Sequence, residues 1–261
     1  MERSAMPIAF FDSGLGGISI LRSSVRLMPC EDYIYLGDSL HAPYGVRTPE
    51  EVRALCLQAL RPLVERGVKA LVIACNTATS AAITLLRETW PELIVIGTEP
   101  AIKPAVERHP GGRVLVMATP MTLKEEKFRN LQAQYQTAAE IIPLPCPGLM
   151  EFVEQGILSG EAVEGYLLDK LEPYCKVSLD AIVLGCTHYP FLTAAIRRIV
   201  GRHVEILDGA AGVSQQLHAR LEQEGLLTTA AAQGRVEFCN SLGQPEILQL
   251  SRTLLNAPAN E

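Results

Sequence analysis

The chain has no excess of positive charge: 23 Lys and Arg stand against 29 Asp and Glu, for a formal net charge of −6. Phosphate contacts to a duplex need clustered Lys and Arg, so no nucleic-acid partner is expected. The densest basic cluster, Arg197, Arg198 and Arg202, reads as the solvated face of a helix. Nor is there any stretch of the ~18 to 20 uninterrupted apolar residues that a membrane span requires, so no membrane partner is expected. Residues 1–7 carry no apolar h-region, which argues against a secretory signal. The seven cysteines (30, 56, 75, 146, 175, 186 and 239) are odd in number and lack Cys-x-x-Cys spacing, so neither a disulfide framework nor a paired-cysteine zinc ribbon is expected. Reduced thiols in a cytoplasmic protein fit that usage. Aromatics are sparse, at 5%, beside 48% apolar and 20% charged residues, a soluble globular profile rather than a disordered one. A length of 261 residues accommodates one large domain or two modest ones, each with its own core.

Short apolar runs alternate with helix-period segments, the pattern of parallel sheets flanked by helices. Strands are predicted at 8–11, 33–36, 70–74, 93–97, 113–118, 139–143, 181–184 and 205–207. Helices are predicted at 50–66, 76–88, 122–135, 160–174, 191–200 and 211–224. Thr48 is the expected cap of the first of these, with Pro49 at its first position. Residues 256–261 read as a frayed tail.

The pattern restarts half-way. Phe11-Asp12-Ser13-Gly14 opens a first unit much as Met117-Ala118-Thr119-Pro120 opens a second, and Ala74-Cys75-Asn76-Thr77-Ala78 recurs as Gly185-Cys186-Thr187-His188-Tyr189. The expected fold is therefore α/β, with two pseudo-symmetric lobes, each a mainly parallel sheet flanked by helices, and the active site between them. Residues 1–98 with 207–261 are expected to form the first lobe, and 99–206 the second.

In each unit an apolar strand is predicted to end directly at a cysteine, with a helix starting directly after it. Ligands of open α/β sheets bind beyond the carboxyl ends of strands, and helix-start amides favour a thiolate there. From an ordinary thiol pKa of about 8.5, a modest downward shift makes thiol and thiolate both accessible near neutrality. Two such groups, one starting as thiolate and one as thiol, suit removal of a proton from an amino acid's α-carbon and its return on the opposite face. Cys75 and Cys186 are the candidates; the other five cysteines read as small buried hydrophobes.

Asp12 and Ser13 open the glycine-rich loop Gly14-Leu15-Gly16-Gly17, which lets amides approach an anion. Asp12 is a candidate for orienting a substrate ammonium or assisting a thiol; a helix cap is its plain alternative. The loop lacks GxGxxG spacing and no Walker lysine follows, against a nucleotide site. His188 is placed to assist proton transfer at Cys186. Asn76, Thr77 and Thr187 offer short polar side chains and helix-start amides to a carboxylate. Tyr44, in Pro43-Tyr44-Gly45, is expected to line the pocket mouth. Cys-x-His spacing is not a usual zinc arrangement, so no metal is expected.

Four motifs, Phe11 through Gly17, Asp38 through Gly45, Ala74 through Ala78 and Gly185 through Pro190, resemble in order and spacing those of the glutamate racemase family, part of the aspartate/glutamate racemase superfamily. The resemblance runs from about Pro7 to about Leu217. It implies a racemase that needs no pyridoxal phosphate or other cofactor, interconverts L- and D-glutamate by two thiols and supplies D-glutamate for peptidoglycan. Its implied partners are the small-molecule substrate and a second copy in a homodimer. By motif, Cys75 and Cys186 become the proton donors and acceptors, the first serving the D-enantiomer and the second the L-enantiomer, with Asp12 and His188 as helpers. Asp12, Ser13, Tyr44, Gly45, Asn76, Thr77, Thr187 and His188 become substrate contacts. A family glutamate follows a cysteine-proline motif, and Glu154 matches it by spacing, although Glu151 stands where the family has proline. Thr119 and Thr122 match a Gly-Thr-x-x-Thr stretch whose glycine is lost here. The alternatives are another amino-acid racemase of the superfamily, a one-thiol decarboxylase, which the second cysteine disfavours, and a non-catalytic small-molecule-binding module.

Overall fold

Strands buried on both faces read as unbroken apolar runs. Ile8–Asp12 (β1), Ala70–Ile73 (β3) and Ala181–Leu184 (β7) are buried at every position, in a computed structural model that describes residues 2–176 and 178–257. Along the chain β1 is followed by α1 (Ile18–Leu27), β2 (Tyr33–Gly37), α2 (Pro49–Arg66), β3, α3 (Asn76–Thr89) and β4 (Ile94–Gly97). Then come α4 (Ile102–Arg108), β5 (Arg113–Ala118), α5 (Pro120–Lys124), α6 (Glu126–Tyr135), β6 (Glu140–Pro145), α7 (Leu149–Glu154) and α8 (Glu161–Cys175). The chain continues with β7, α9 (Thr193–Val200), β8 (Glu205–Asp208), α10 (Ala210–Gln223), β9 (Val236–Asn240) and α11 (Pro245–Asn256). Of the expected tail, residues 258–261 lie outside the described residues. No helix among the described residues is long and apolar enough to cross a membrane.

Contacts divide the chain into two units, residues up to Thr98 with those from Ala210 to Ala257, and Glu99–Gly209. The first holds a five-stranded parallel sheet in the order β4-β3-β1-β2-β9; the second holds a four-stranded parallel sheet in the order β6-β5-β7-β8. Setting β9 aside, the two orders are the same, with β5 in the place of β1 and β7 in the place of β3. Chain order reverses between β1 and β3 in one unit and between β5 and β7 in the other, the position at which doubly wound sheets bind ligands.

Local chemistry accounts for most boundaries. Thr48 caps α2 in a reciprocal box: its hydroxyl accepts from Glu51 N at 3.3 Å, and Glu51 Oε2 accepts from Thr48 N at 2.8 Å. The predicted helix at 122–135 is two helices, because Glu125 is extended (φ −65°, ψ 143°) and separates α5 from α6. The predicted helix at 191–200 begins as a 3-10 turn, Tyr189–Leu192, before α9. The helix expected directly after Cys186 is therefore absent: Thr187 and His188 form a turn, with Pro190 near the start of the 3-10 segment. Four helices, α1, α4, α7 and α11, and the edge strand β9 were not predicted.

At the amino ends of the first sheet's strands, Lys69 and Glu31 form a fully buried ion pair. Lys69 Nζ also donates to the Ser4 carbonyl at 2.6 Å, and Glu31 Oε1 accepts from Thr228 N at 2.8 Å. The pair thus joins β3, the turn before β2, the amino-terminal segment and the connection between α10 and β9.

Candidate active site

Cys75 occupies the N-cap of α3, one residue past the Ala74 amide that continues the β1–β3 ladder to Phe11. Phe11 pairs with Ile73, and two residues on that register brings Ser13 level with Cys75. Ser13 Oγ lies 3.4 Å from Cys75 Sγ, and the Ala78 amide donates to the same sulfur at 3.4 Å. The sulfur thus caps the helix and has a hydroxyl on its other side. Cys75 is 6% exposed.

Beside it, Asp12 is wholly buried, and its Oδ1 accepts from the Gly14 amide at 2.8 Å. The first amide of the glycine loop is therefore engaged by the protein's own carboxylate. Asp12 does not cap α1, whose N-cap is Gly17 with no side-chain cap. Gly17 is required here by close approach: a Cβ at that position would lie 2.7 Å from Ala74 Cβ and 2.8 Å from Asp12 Cβ. At the head of α3, Asn76 and Thr77 are buried, and Asn76 Oδ1 has no hydrogen-bond partner among the described residues. An unpartnered buried acceptor is costly unless a ligand supplies its donor.

Tyr44 departs from expectation. It does not line an open mouth: it is 1% exposed, its ring tilts against Phe11 at 6.4 Å, and its hydroxyl donates to Asp38 Oδ2 at 2.7 Å. Burial first, then the neighbouring Cys56 and Asp38, pushes the Tyr44 phenol far above its ordinary value, so it stays protonated. Gly45 follows it, half-buried, in the 3-10 turn Tyr44–Val46. Asp38, absent from the sequence-based set of site residues, is the hub of this corner. Its amide donates to the Asp12 carbonyl at 2.9 Å, and its carboxylate lies 2.9 and 3.0 Å from His41 Nδ1. An aspartate directly after the apolar run Tyr33–Gly37 is the signal the sequence offers.

In the second unit Met117 pairs with Leu184, and the same two-residue step brings Thr119 level with Cys186. Thr119 thus corresponds to Ser13. Its Oγ1 caps α5, accepting from Thr122 N at 3.2 Å, and lies 3.0 Å from Thr122 Oγ1. Gly185 lets the strand end pack closely, since a Cβ there would lie 3.0 Å from the Met117 carbonyl. Cys186, 7% exposed, has Sγ 3.6 Å from His188 Nδ1. His188 Nε2 donates to Glu154 Oε1 at 2.7 Å. Thr187 is buried between Cys186 and His188 in sequence.

Burial alone pulls the His188 imidazolium pKa down, but the contacts to Cys186 and Glu154 outweigh it, and the net direction is well upward. With Nε2–H held by a carboxylate, Nδ1 can accept from a Cys186 thiol or, when protonated, donate to its thiolate. Glu154 is thus joined to a site residue far away in the chain. Glu151 Oε2, by contrast, is buried without a hydrogen-bond partner among the described residues.

The remaining cysteines only partly match the small-hydrophobe reading. Cys56 and Cys146 are buried, and burial pushes the Cys146 thiol up to about 12, which leaves it unreactive. Cys30 and Cys239 are half-buried, and Cys175 is exposed because it ends α8 at the surface.

Comparison with known proteins identifies the family. A family model described as Asp/Glu/Hydantoin racemase matches residues 19–217. A glutamate racemase of Clostridium perfringens is 51% identical over 249 residues, covering 95% of this chain and 96% of that protein. One from Clostridium botulinum (strain Alaska E43) is 47% identical over 257 residues, covering 98% and 100%. The crystal structure of glutamate racemase from Francisella tularensis in complex with D-glutamate matches with a TM-score of 0.83 at 27% identity, over 99% of this chain and 96% of that one. The Escherichia coli glutamate racemase structure, in complex with L-glutamate and the activator UDP-MurNAc-ala, matches with a TM-score of 0.83 at 27% identity, over 94% and 92%. The family model's match to most of the chain and the near-complete coverage by relatives about half identical in sequence place the chain in the Asp/Glu/hydantoin racemase family.

Proposed function

We propose that the protein interconverts L- and D-glutamate by direct proton transfer at the α-carbon, with Cys75 and Cys186 acting on opposite faces of one bound molecule. The observation that carries this reading is the occurrence of one cysteine at the corresponding strand end of each of two like-ordered sheets, each with its own polar helper. The identity to glutamate racemases supports glutamate as the substrate.

In one direction a thiolate at Cys75 removes the α-proton and the Cys186 thiol delivers a proton to the other face; the reverse reaction exchanges the two states. Ala78 N and Ser13 stabilise the charged form of Cys75. His188, held by Glu154, relays a proton to and from Cys186. The unpartnered Asn76 Oδ1 accepts from the substrate ammonium, with Asp12 supplying negative charge nearby. Ser13, Thr77, Thr119, Thr122, Thr187 and the Tyr44–Gly45 turn complete the enclosure of the substrate. Stabilisation of the carbanion rests on these dipoles and needs no pyridoxal phosphate. The enzyme works in the cytoplasm as a homodimer and supplies D-glutamate to peptidoglycan synthesis.

Incubation in deuterium oxide without added cofactor tests this reading. Deuterium enters Cα of glutamate while the optical rotation of either enantiomer decays to zero, and aspartate run in parallel reacts far more slowly. Retention of protium and of optical rotation in glutamate would refute it.

A further inference from the structure

Away from the thiols, the first unit contains a cavity of about 420 Å³ between Leu36 of β2 and Leu55, Ala59 and Leu63 of α2. Pockets that enclose small organic ligands occupy about 300–1,000 Å³ and combine apolar walls with a few polar groups. Here the polar groups are Asp38, His41, Gln58 and Ser241. The loops around it expose apolar side chains: Leu40 is 57% exposed, Val46 76% and Leu242 36%. They are not slack, because Leu40 N donates to Ser241 Oγ and Asn240 Nδ2 donates to Ser39 Oγ, each at 2.9 Å.

The lining selects the ligand by charge. It includes no Lys or Arg, and its one carboxylate, Asp38, is 3% exposed. His41 Nδ1 faces that carboxylate rather than an incoming anion. A carboxylate or phosphate ligand would meet negative charge without a counter-ion, and a cation would lose hydration to mainly apolar walls. A second glutamate is excluded on the same ground. What fits is a neutral aromatic or branched aliphatic molecule with one hydrogen-bonding group for Gln58 or Ser241.

The cavity also shares a wall with the Cys75 corner. Asp38 lines it and accepts the Tyr44 hydroxyl at 2.7 Å, while the Asp38 amide donates to the Asp12 carbonyl. We propose that this cavity is a binding site for a neutral, predominantly apolar small molecule, distinct from the amino-acid site, and that its occupant alters racemisation by moving Asp38 and Tyr44. The second half of the proposal rests on the racemase reading; the first does not.

The probe is N-phenyl-1-naphthylamine, a neutral fluorophore, titrated into the full chain with and without saturating glutamate. The expected result is saturable 1:1 binding that glutamate does not compete away, with the sulfonated analogue 1-anilinonaphthalene-8-sulfonate bound about tenfold more weakly because of Asp38. Ala59→Phe, which puts a ring into the cavity, weakens binding by about tenfold or more, and Ala59→Ser leaves it unchanged. Unaltered circular dichroism and thermal midpoint of Ala59→Phe show that the fold survives. The probe changes kcat or KM of the wild type and not of Ala59→Phe. Absence of saturable binding, equal binding by Ala59→Phe, or competition by glutamate overturns the site. Sedimentation showing that Ala59→Phe dissociates a wild-type oligomer also overturns it, assigning the cavity to a neighbouring copy. Binding with unchanged racemisation kinetics overturns the coupling and leaves the site.

Discussion

Glu154 Oε1 lies 2.7 Å from His188 Nε2, on the ring nitrogen opposite the one that meets Cys186 Sγ at 3.6 Å. The carboxylate fixes which nitrogen carries the proton and favours the imidazolium. His188 is raised above its unfolded value, so the stability it contributes is fully present below about pH 6.5 and is lost as pH rises through the folded value. Glu154→Gln is expected to lower the His188 pKa and move that loss to lower pH. Nitrogen chemical shifts of His188 across a pH titration check the direction; an unchanged or raised value would contradict the assigned bond.

Replacing either thiol by a far weaker acid, Cys75→Ser or Cys186→Ser, is expected to lower kcat about 10²- to 10⁴-fold, the usual weight of one general acid–base group. Circular dichroism should be unchanged in both. Near-normal turnover in either variant would remove the two-base mechanism.

Tyr44→Phe deletes one side-chain partner of the buried Asp38 carboxylate while keeping the ring against Phe11. The expected cost is about 1–3 kcal/mol, the weight of a hydrogen bond to a buried carboxylate that keeps His41 as its other side-chain partner. Urea unfolding of the wild type and the variant provides the comparison, and equal midpoints would show that the hydroxyl bond is dispensable.

The Lys69–Glu31 pair predicts a different signature. Lys69→Met leaves an uncompensated buried carboxylate and is expected to cost about 3–5 kcal/mol, whereas adding Glu31→Leu should recover much of that loss. Recovery stays incomplete because the Thr228 amide then lacks its acceptor. A double-mutant cycle measures the coupling, and additive losses would argue that the two charges act separately.

At Gly17 an added methyl meets Ala74 Cβ and Asp12 Cβ, neither of which is the far end of a flexible chain. Gly17→Ala is expected to destabilise by about 1–3 kcal/mol and to reduce turnover by displacing Asp12. A variant of full activity and unchanged unfolding midpoint would show that α1 can shift without consequence.

Much of this protein was legible in the sequence because parallel strands buried on both faces must be apolar throughout, and helices announce themselves by caps such as Thr48. Four motifs with cysteines at two strand ends were legible for the same reason: strand, turn and helix start are local. Elements with weaker local signatures were not. The head of α1 is a glycine with no side-chain cap, α4 and α7 are short, and β9 is a half-exposed edge strand that gains its definition from pairing with β2. The extended Glu125 that splits α5 from α6, and the turn that follows Cys186, likewise interrupt an otherwise helical pattern.

The sequence by itself determined which side chains are available for the proposed chemistry, because thiol, imidazole and carboxylate are fixed by the chain. Only the tertiary structure decided which of them meet. Glu154 reaches His188 from a separate helix, Asp38 receives Tyr44 at the end of β2, and strand register brings Ser13 to Cys75 across distant segments. Such pairings follow from strand order and packing, which involve the whole chain at once and leave no mark in any short stretch of it.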